Sequence, residues 1–154
     1  MKQILIVSSP VGPLTLTQED QALTGLHFGE HPQQGAEGPT PLLEEAARQL
    51  EEYFAGQRKE FSLPLAPKGT EFQLRVWQAL LQIPYGETRS YGELAAMVGN
   101  PKACRAVGGA NHRNPLSILI PCHRVVGTKG SLTGYAGGLA IKEFLLKLES
   151  EARP

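Results

Sequence analysis

Cysteine is scarce: the 154 residues hold only Cys104 and Cys122. Two thiols cannot make a disulfide framework, so a reducing compartment is expected, with a Cys104–Cys122 bridge as the lesser alternative. Long apolar runs are missing too, since nothing approaches the ~20 residues of a membrane span. The opening MKQILIVSSPVG has a lysine and a short apolar stretch, but that stretch is too short for a signal-peptide core and alternates like a strand. An intracellular, cytoplasmic protein without a membrane partner is the expectation. Metal-ligand spacing is also lacking. The Cys122-His123 pair has no second ligand pair, and His27 and His31 have no cysteine near them, so no metal is expected.

Net charge is absent as well, with fifteen Lys and Arg against fifteen Asp and Glu. The distribution is uneven. Residues 1–63 hold four basic side chains against nine acidic ones, and residues 64–154 hold eleven against six. Between 88 and 142 seven basic residues meet one acid, Glu93. Such asymmetry points to a polyanion-binding face on the second half, with a solvated surface of random clustering as the alternative.

Ile4–Ser8, Leu14–Thr17 and Leu23–Phe28 read as strands, with a turn at residues 18–21 and a polar Pro/Gly loop over 30–41. Thr40-Pro41 reads as an N-cap with proline in the first helical position. Leu42, Leu43, Ala46, Ala47, Leu50, Tyr53 and Phe54 follow at helical spacing up to Gly56. Phe61-Ser62-Leu63 is a candidate further strand. The organisation expected is a small α/β domain over 1–64, a linker over 65–69 and a helical domain over 70–154. In that second domain Thr70-Glu71-Phe72-Gln73 and Ser90-Tyr91-Gly92-Glu93 are capping boxes opening helices that run through Leu81 and to Gly99. Asn100-Pro101 is expected to cap a third helix. Two short helices joined this tightly make a helix-turn-helix shape, which many hairpins that bind no DNA share.

The third helix, PKACRAVGGANHR, is costly. Each of two adjacent interior glycines costs roughly 1 kcal/mol relative to alanine. Either a tight helix crossing or a large partner approaching the backbone has to offset that, and Lys102, Arg105 and Arg113 favour a nucleic acid.

The stretch ILIPCHRVVG follows. Pro121 extends the residue before it, so Ile118-Leu119-Ile120 reads as a buried strand leading to Cys122. A buried thiol without help is inert, whereas an imidazole can take its proton and leave a reactive thiolate. Adjacent side chains on a flat strand diverge, so Cys122 and His123 cooperate only if the backbone turns there or a water bridges them. Nucleophile is favoured over metal ligand and core filler.

The run from Tyr85 to Glu149, with PYGETRSYGELA, RAVGGANHRNP, ILIPCHRVVG and GYAGGLAIKEFLLKLE in order, resembles the O6-alkylguanine-DNA alkyltransferases. The resemblance implies an α+β fold: a small ribonuclease-H-like sheet-and-helix domain, then a helix-turn-helix (winged-helix-like) domain carrying the active cysteine. It implies that Cys122 accepts the alkyl group from guanine O6, and less firmly from thymine O4. His123 would be its base through a bound water, Glu149 would orient the histidine, and Asn114 would brace the turn. Tyr91, Tyr135, Val125, Asn111 and Ala136 would contact the base. Arg105 would fill the gap left by the extruded nucleotide. Ala106, Gly108, Asn100, Thr128 and Tyr91 would lie along double-stranded DNA, which such proteins grip through the minor groove. The protein would act once, as a monomer or cooperatively along DNA, and without a cofactor.

Alone, Glu149 reads as a solvated helix-end acid, Tyr91 and Tyr135 as core aromatics, Arg105 as a surface arginine and Asn114 as a turn residue. Two features depart from some members. No cysteine precedes Cys104, which implies no N-terminal zinc, and Ala136 replaces a serine able to reach O6. The rival expectations are a non-enzymatic alkyltransferase-like module that binds lesions and recruits other proteins, and a thiol-based redox or acyl-transfer enzyme.

Overall fold

Alternation in the first thirty residues makes an antiparallel meander of β1 (Lys2–Val7), β2 (Leu14–Glu19) and β3 (Ala22–Phe28). The computed structural model describes residues 2–127, 134, 135 and 137–151. Thr128 and Ala136, assigned above to DNA and base contacts, lie outside them. The chain divides between Lys68 and Gly69 into two units.

In the first unit β4 (Ala36–Glu37) returns parallel to β1, giving the sheet order β3-β2-β1-β4. The β2–β3 hairpin turns on Asp20, whose φ of +54° is one that aspartate tolerates better than most residues. One sheet face takes α1 (Pro41–Phe54), whose buried Leu43, Ala46, Leu50 and Tyr53 form the core with Leu14, Leu16 and Leu26. Thr40 caps that helix by accepting from the Leu43 N–H at 3.0 Å, with Pro41 in its first turn. The loop after β3 is tied to the sheet through Thr15, whose Oγ1 donates to Gly29 O and accepts from the His31 N–H.

Phe61-Ser62-Leu63 is not a strand. The buried Gln49 side chain occupies both backbone groups of Ser62, accepting from its N–H at 2.9 Å and donating to its carbonyl at 3.4 Å. Pairing falls instead to Leu65, held alongside β3 by Leu23 N–H to Pro64 O and Ala66 N–H to Leu23 O.

The second unit carries α2 (Glu71–Leu80), β5 (Arg89–Ser90), α3 (Tyr91–Met97), α4 (Cys104–His112), a 3-10 turn (Cys122–Arg124), β6 (Val125–Val126) and α5 (Leu139–Glu151). Both capping boxes form with reciprocal bonds, Thr70 with Gln73 and Ser90 with Glu93. Strands β5 and β6 pair in parallel, tying the start of α3 to the segment just after the cysteine. The only tryptophan, Trp77, is 2% exposed and donates its indole N–H to Ala110 O at 2.9 Å, joining α2 to α4.

Two local expectations are corrected here. Asn100 does not cap the third helix: residues 101 and 102 form a turn, Ala103 N–H reaches back to Asn100 O, and α4 begins at Cys104 without a side-chain cap. The three residues are spent on the connection between helices. Nor is Ile118-Leu119-Ile120 a strand. Ile118 sits at φ +72°, Leu119 N–H bonds Ser117 O, and Ile120 N–H bonds Leu116 O. A β-branched residue in that region is strained, and Ile118 is held there by complete burial and the bonds on either side.

Candidate active site

The cysteine is placed by the loop after α4. Asn114 donates from Nδ2 to Ile120 O at 2.8 Å and accepts from Leu116 N–H at 2.9 Å, closing the loop from within. The chain then enters the 3-10 turn at Pro121, and Cys122, His123 and Arg124 are all buried, 4%, 0% and 7% exposed. A turn rather than a flat strand joins the thiol to the imidazole. Cys104 is free and exposed at the start of α4, and Cys122 is free and buried, so no bridge joins them.

On α5, Lys142, Leu145 and Glu149 share the buried face. His123 Nε2–H donates to Glu149 Oε2 at 2.7 Å. Arg124 grips the same carboxylate, Nε to Oε1 at 2.8 Å and Nη2 to Oε2 at 3.1 Å. Burial by itself would raise the Glu149 carboxyl. The hydrogen bonds and charges of His123 and Arg124 outweigh it and hold the group down to about 2. Burial lowers His123 from its ordinary value, with the Glu149 bond and charge opposing and Arg124 and Lys142 reinforcing. Burial also pushes the Cys122 thiol up, against smaller pulls from Asn114, Lys142 and Ser117. At neutral pH the site therefore holds a thiol, a neutral imidazole and an ionised carboxylate. An ionised carboxylate only accepts, so the imidazole proton sits on Nε2. Nδ1 keeps its lone pair, and it is buried without a hydrogen bond among the described residues.

Other residues gather around the thiol. Asn111 on α4 is buried, and its Nδ2 lies 3.4 Å from Cys122 O. Val125 is fully buried in β6. Tyr135 is buried too, its hydroxyl raised well above its ordinary value by burial and then by the Cys122 charge. Among the described residues no group of three or more His, Cys, Asp or Glu is arranged to hold a metal; the His27 and His31 rings stand 5.9 Å apart, edge to face.

The outer face of α4 is different in kind. Val107, Ala110 and Asn111 turn inward, while Arg105, Ala106, Gly109, His112 and Arg113 are exposed. A methyl group at Gly108 would make only ordinary contact with the Tyr91 ring, at 3.6 Å, and one at Gly109 would meet nothing within 4 Å. Neither glycine is required by packing inside the unit, so a tight helix crossing does not account for the pair. Asn100 is exposed in the turn before α4.

Comparison with known proteins places the chain in a family. Residues 4–67 match the family model described as the 6-O-methylguanine DNA methyltransferase ribonuclease-like domain, and residues 71–151 match its DNA binding domain. The chain belongs to the 6-O-methylguanine DNA methyltransferase family. A methylated-DNA–protein-cysteine methyltransferase of Methanosarcina acetivorans is 56% identical over 150 residues, covering 94% of this chain and 96% of that one. The constitutive enzyme of that name in Bacillus subtilis is 51% identical, covering 97% and 96%. The crystal structure of the Mycobacterium tuberculosis O6-methylguanine methyltransferase superposes with a TM-score of 0.92 at 48% identity, over 100% of this chain and 96% of that one. Mycobacterium tuberculosis OGT in complex with DNA gives 0.90 at 50% identity, over 99% and 95%.

In this methyltransferase the expected α+β fold is present, a small sheet-and-helix unit followed by a helical unit with the cysteine. Two cations counted above toward a basic face are not on the surface. Arg124 is 7% exposed and Lys142 0%, and each lies near the thiol–imidazole–carboxylate group. Sequence reasoning missed both. A signal existed for each: Arg124 stands inside an apolar run, and Lys142 is three residues before Leu145 and seven before Glu149, on their helix face.

Proposed function

We propose that the protein repairs DNA by direct reversal, moving an alkyl group from O6 of guanine in double-stranded DNA irreversibly onto Cys122. The observation that carries the reading is a buried thiol one residue from an imidazole whose far nitrogen is bonded to a buried carboxylate. The thiol proton passes to His123 Nδ1 through a water, the sulfur attacks the alkyl carbon, and the C–O6 bond breaks with its electron pair staying on oxygen. The guanine anion takes up a proton and recovers its keto form. The resulting thioether has no leaving group that a cellular thiol would displace, so each molecule turns over once. No cofactor enters the balance.

A base stacked in a duplex cannot reach a buried thiol, so the nucleotide has to be flipped out, at a cost of a few kcal/mol. The exposed small-and-basic face of α4 fits the minor groove, with Arg105 filling the gap and Ala106, Gly108, Tyr91 and Asn100 beside the backbone. Asn111, Val125 and Tyr135 line the base site, and Asn114 steadies the loop. Reading through the degenerate minor groove implies weak sequence preference. The protein works in the compartment that holds the DNA. None of the helices among the described residues is long and apolar enough to cross a membrane.

Incubation with a duplex carrying one O6-methylguanine, followed by mass spectrometry, tests the reading. The expected result is a gain of one CH2 unit on the Cys122 peptide, absent from Cys122→Ser. Tight binding of the lesion without any mass gain would overturn it in favour of a lesion-binding module.

A further inference from the structure

Arg124 makes three hydrogen bonds and one ring contact inside the protein. Besides the two bonds to Glu149, its Nη1–H donates to Ile83 O at 2.7 Å, just beyond α2, and the guanidinium lies over the Tyr85 ring, 5.6 Å from its centroid. Oε2 of Glu149 receives both His123 and Arg124, and Oε1 receives Arg124. A carboxylate held only by His123 could rotate about its terminal torsion. The two-pronged grip removes that freedom and anchors the carboxylate to a backbone carbonyl of another segment.

We infer that Arg124 is a positioning residue for alkyl transfer: its fork sets the Glu149 carboxylate to meet His123 Nε2–H and takes a share of the negative charge that would otherwise fall on the imidazole. The inference rests on the alkyl-transfer reading above. Transfer needs a base that accepts the thiol proton and then gives it up toward the departing guanine, and an imidazole facing an unshared carboxylate would hold that proton too tightly. Among the described residues, the charged groups acting on His123 are Glu149 and Lys142 from α5 and Arg124 from its own turn, with Cys122 next to it in sequence and Tyr85 and Tyr135 coupled to Glu149. The buried residues of α2 are Val76, Trp77, Ala79 and Leu80, none of them titratable. Of these groups Arg124 is the cation bonded to the carboxylate that His123 uses.

Two replacements separate orientation from charge. In Arg124→Met the volume is nearly kept and both fork and charge are lost. In Arg124→Lys the charge stays and the fork goes. Single-turnover methyl transfer from O6-methylguanine duplex is measured across pH for the wild type and both variants, with urea unfolding to confirm that each is folded. Arg124→Met should move the acid-side midpoint of the rate profile up by about one pH unit, the size of a nearby-charge effect. Arg124→Lys should leave the midpoint in place and lower the plateau by about tenfold or more, the scale of a misplaced catalytic group. A wild-type midpoint in folded Arg124→Met, or a wild-type plateau in Arg124→Lys, overturns the inference. The second arm decides alone if Arg124→Met does not fold. Failure of the wild type to transfer at any pH would instead remove the alkyl-transfer reading on which this one stands.

Discussion

Glu149 ends the run Lys-Leu-Glu near the close of α5, where a carboxylate is usually solvated. Here it is 3% exposed and bonded to His123 and Arg124 at once. Glu149→Gln leaves a buried guanidinium without its counter-charge and should cost about 3–5 kcal/mol, read as a fall in the urea midpoint. A loss below 1 kcal/mol would mean that water reaches Arg124. The same residues set the pH range of stability. His123 is held below its ordinary 6.5, so the unfolded chain binds the extra proton and stability drops as pH falls through 6.5. Glu149, held down to about 2 from 4.5, adds a second loss over that lower interval. Cys122, raised above its ordinary 9.0, makes the unfolded chain release its proton first, so stability also falls above pH 9.0. Urea midpoints measured across pH should therefore peak between 6.5 and 9.0, and in Glu149→Gln the loss between 4.5 and 2 should shrink.

Among the elements, α4 carries a built-in cost. Gly109 is exposed, and a methyl group there would meet nothing within 4 Å. Gly109→Ala should therefore raise stability by about 0.5–1 kcal/mol through helix propensity alone. If α4 is the surface that meets DNA, the same methyl should weaken duplex binding severalfold in a fluorescence-anisotropy titration while leaving reaction with free O6-benzylguanine unchanged. A destabilised variant would contradict the open space at this position, and unchanged binding would remove its docking role. The start of the helix shows how local reading goes astray. Asn-Pro has the look of an N-cap, but Ala103 N–H closes a turn on Asn100 O, and α4 begins without a side-chain cap. At Thr70 and Ser90, where both partners of each capping box lie three residues apart, the reading matched because the whole device is local.

For the whole molecule, zero net charge hides a segregation between the halves. Burial then reduces the basic excess: with Arg124 and Lys142 inside, the cations exposed on α4 and its approach are Lys102, Arg105 and Arg113. With Arg105 in the gap of the base stack, two phosphate contacts from Lys102 and Arg113 imply a plot of log K against log salt with a slope of about −2 for duplex DNA. A slope near −6 or steeper would mean that other cations take part, and a slope near zero would exclude backbone contact.

Much of this protein was legible in its residues, because the devices that specify it are short. Alternation over 4–28 makes the meander, the two capping boxes open α2 and α3, and the apolar run around Cys122 and His123 accounts for their burial, although the residues before them read as a strand and fold as a turn. What local pattern left open depended on residues distant in sequence. Ser62 is withdrawn from pairing by Gln49, thirteen positions earlier. Ile118 accepts a strained φ because burial and flanking bonds over-determine it. The sequence by itself determined the meander, the capped helices and a thiol beside a base. Only the tertiary structure decided that Arg124 and Lys142 are internal and that one carboxylate serves both imidazole and guanidinium. A charge's surroundings are set by what packs over it, and here those are the segments after α2 and along α5, both far along the chain from Cys122.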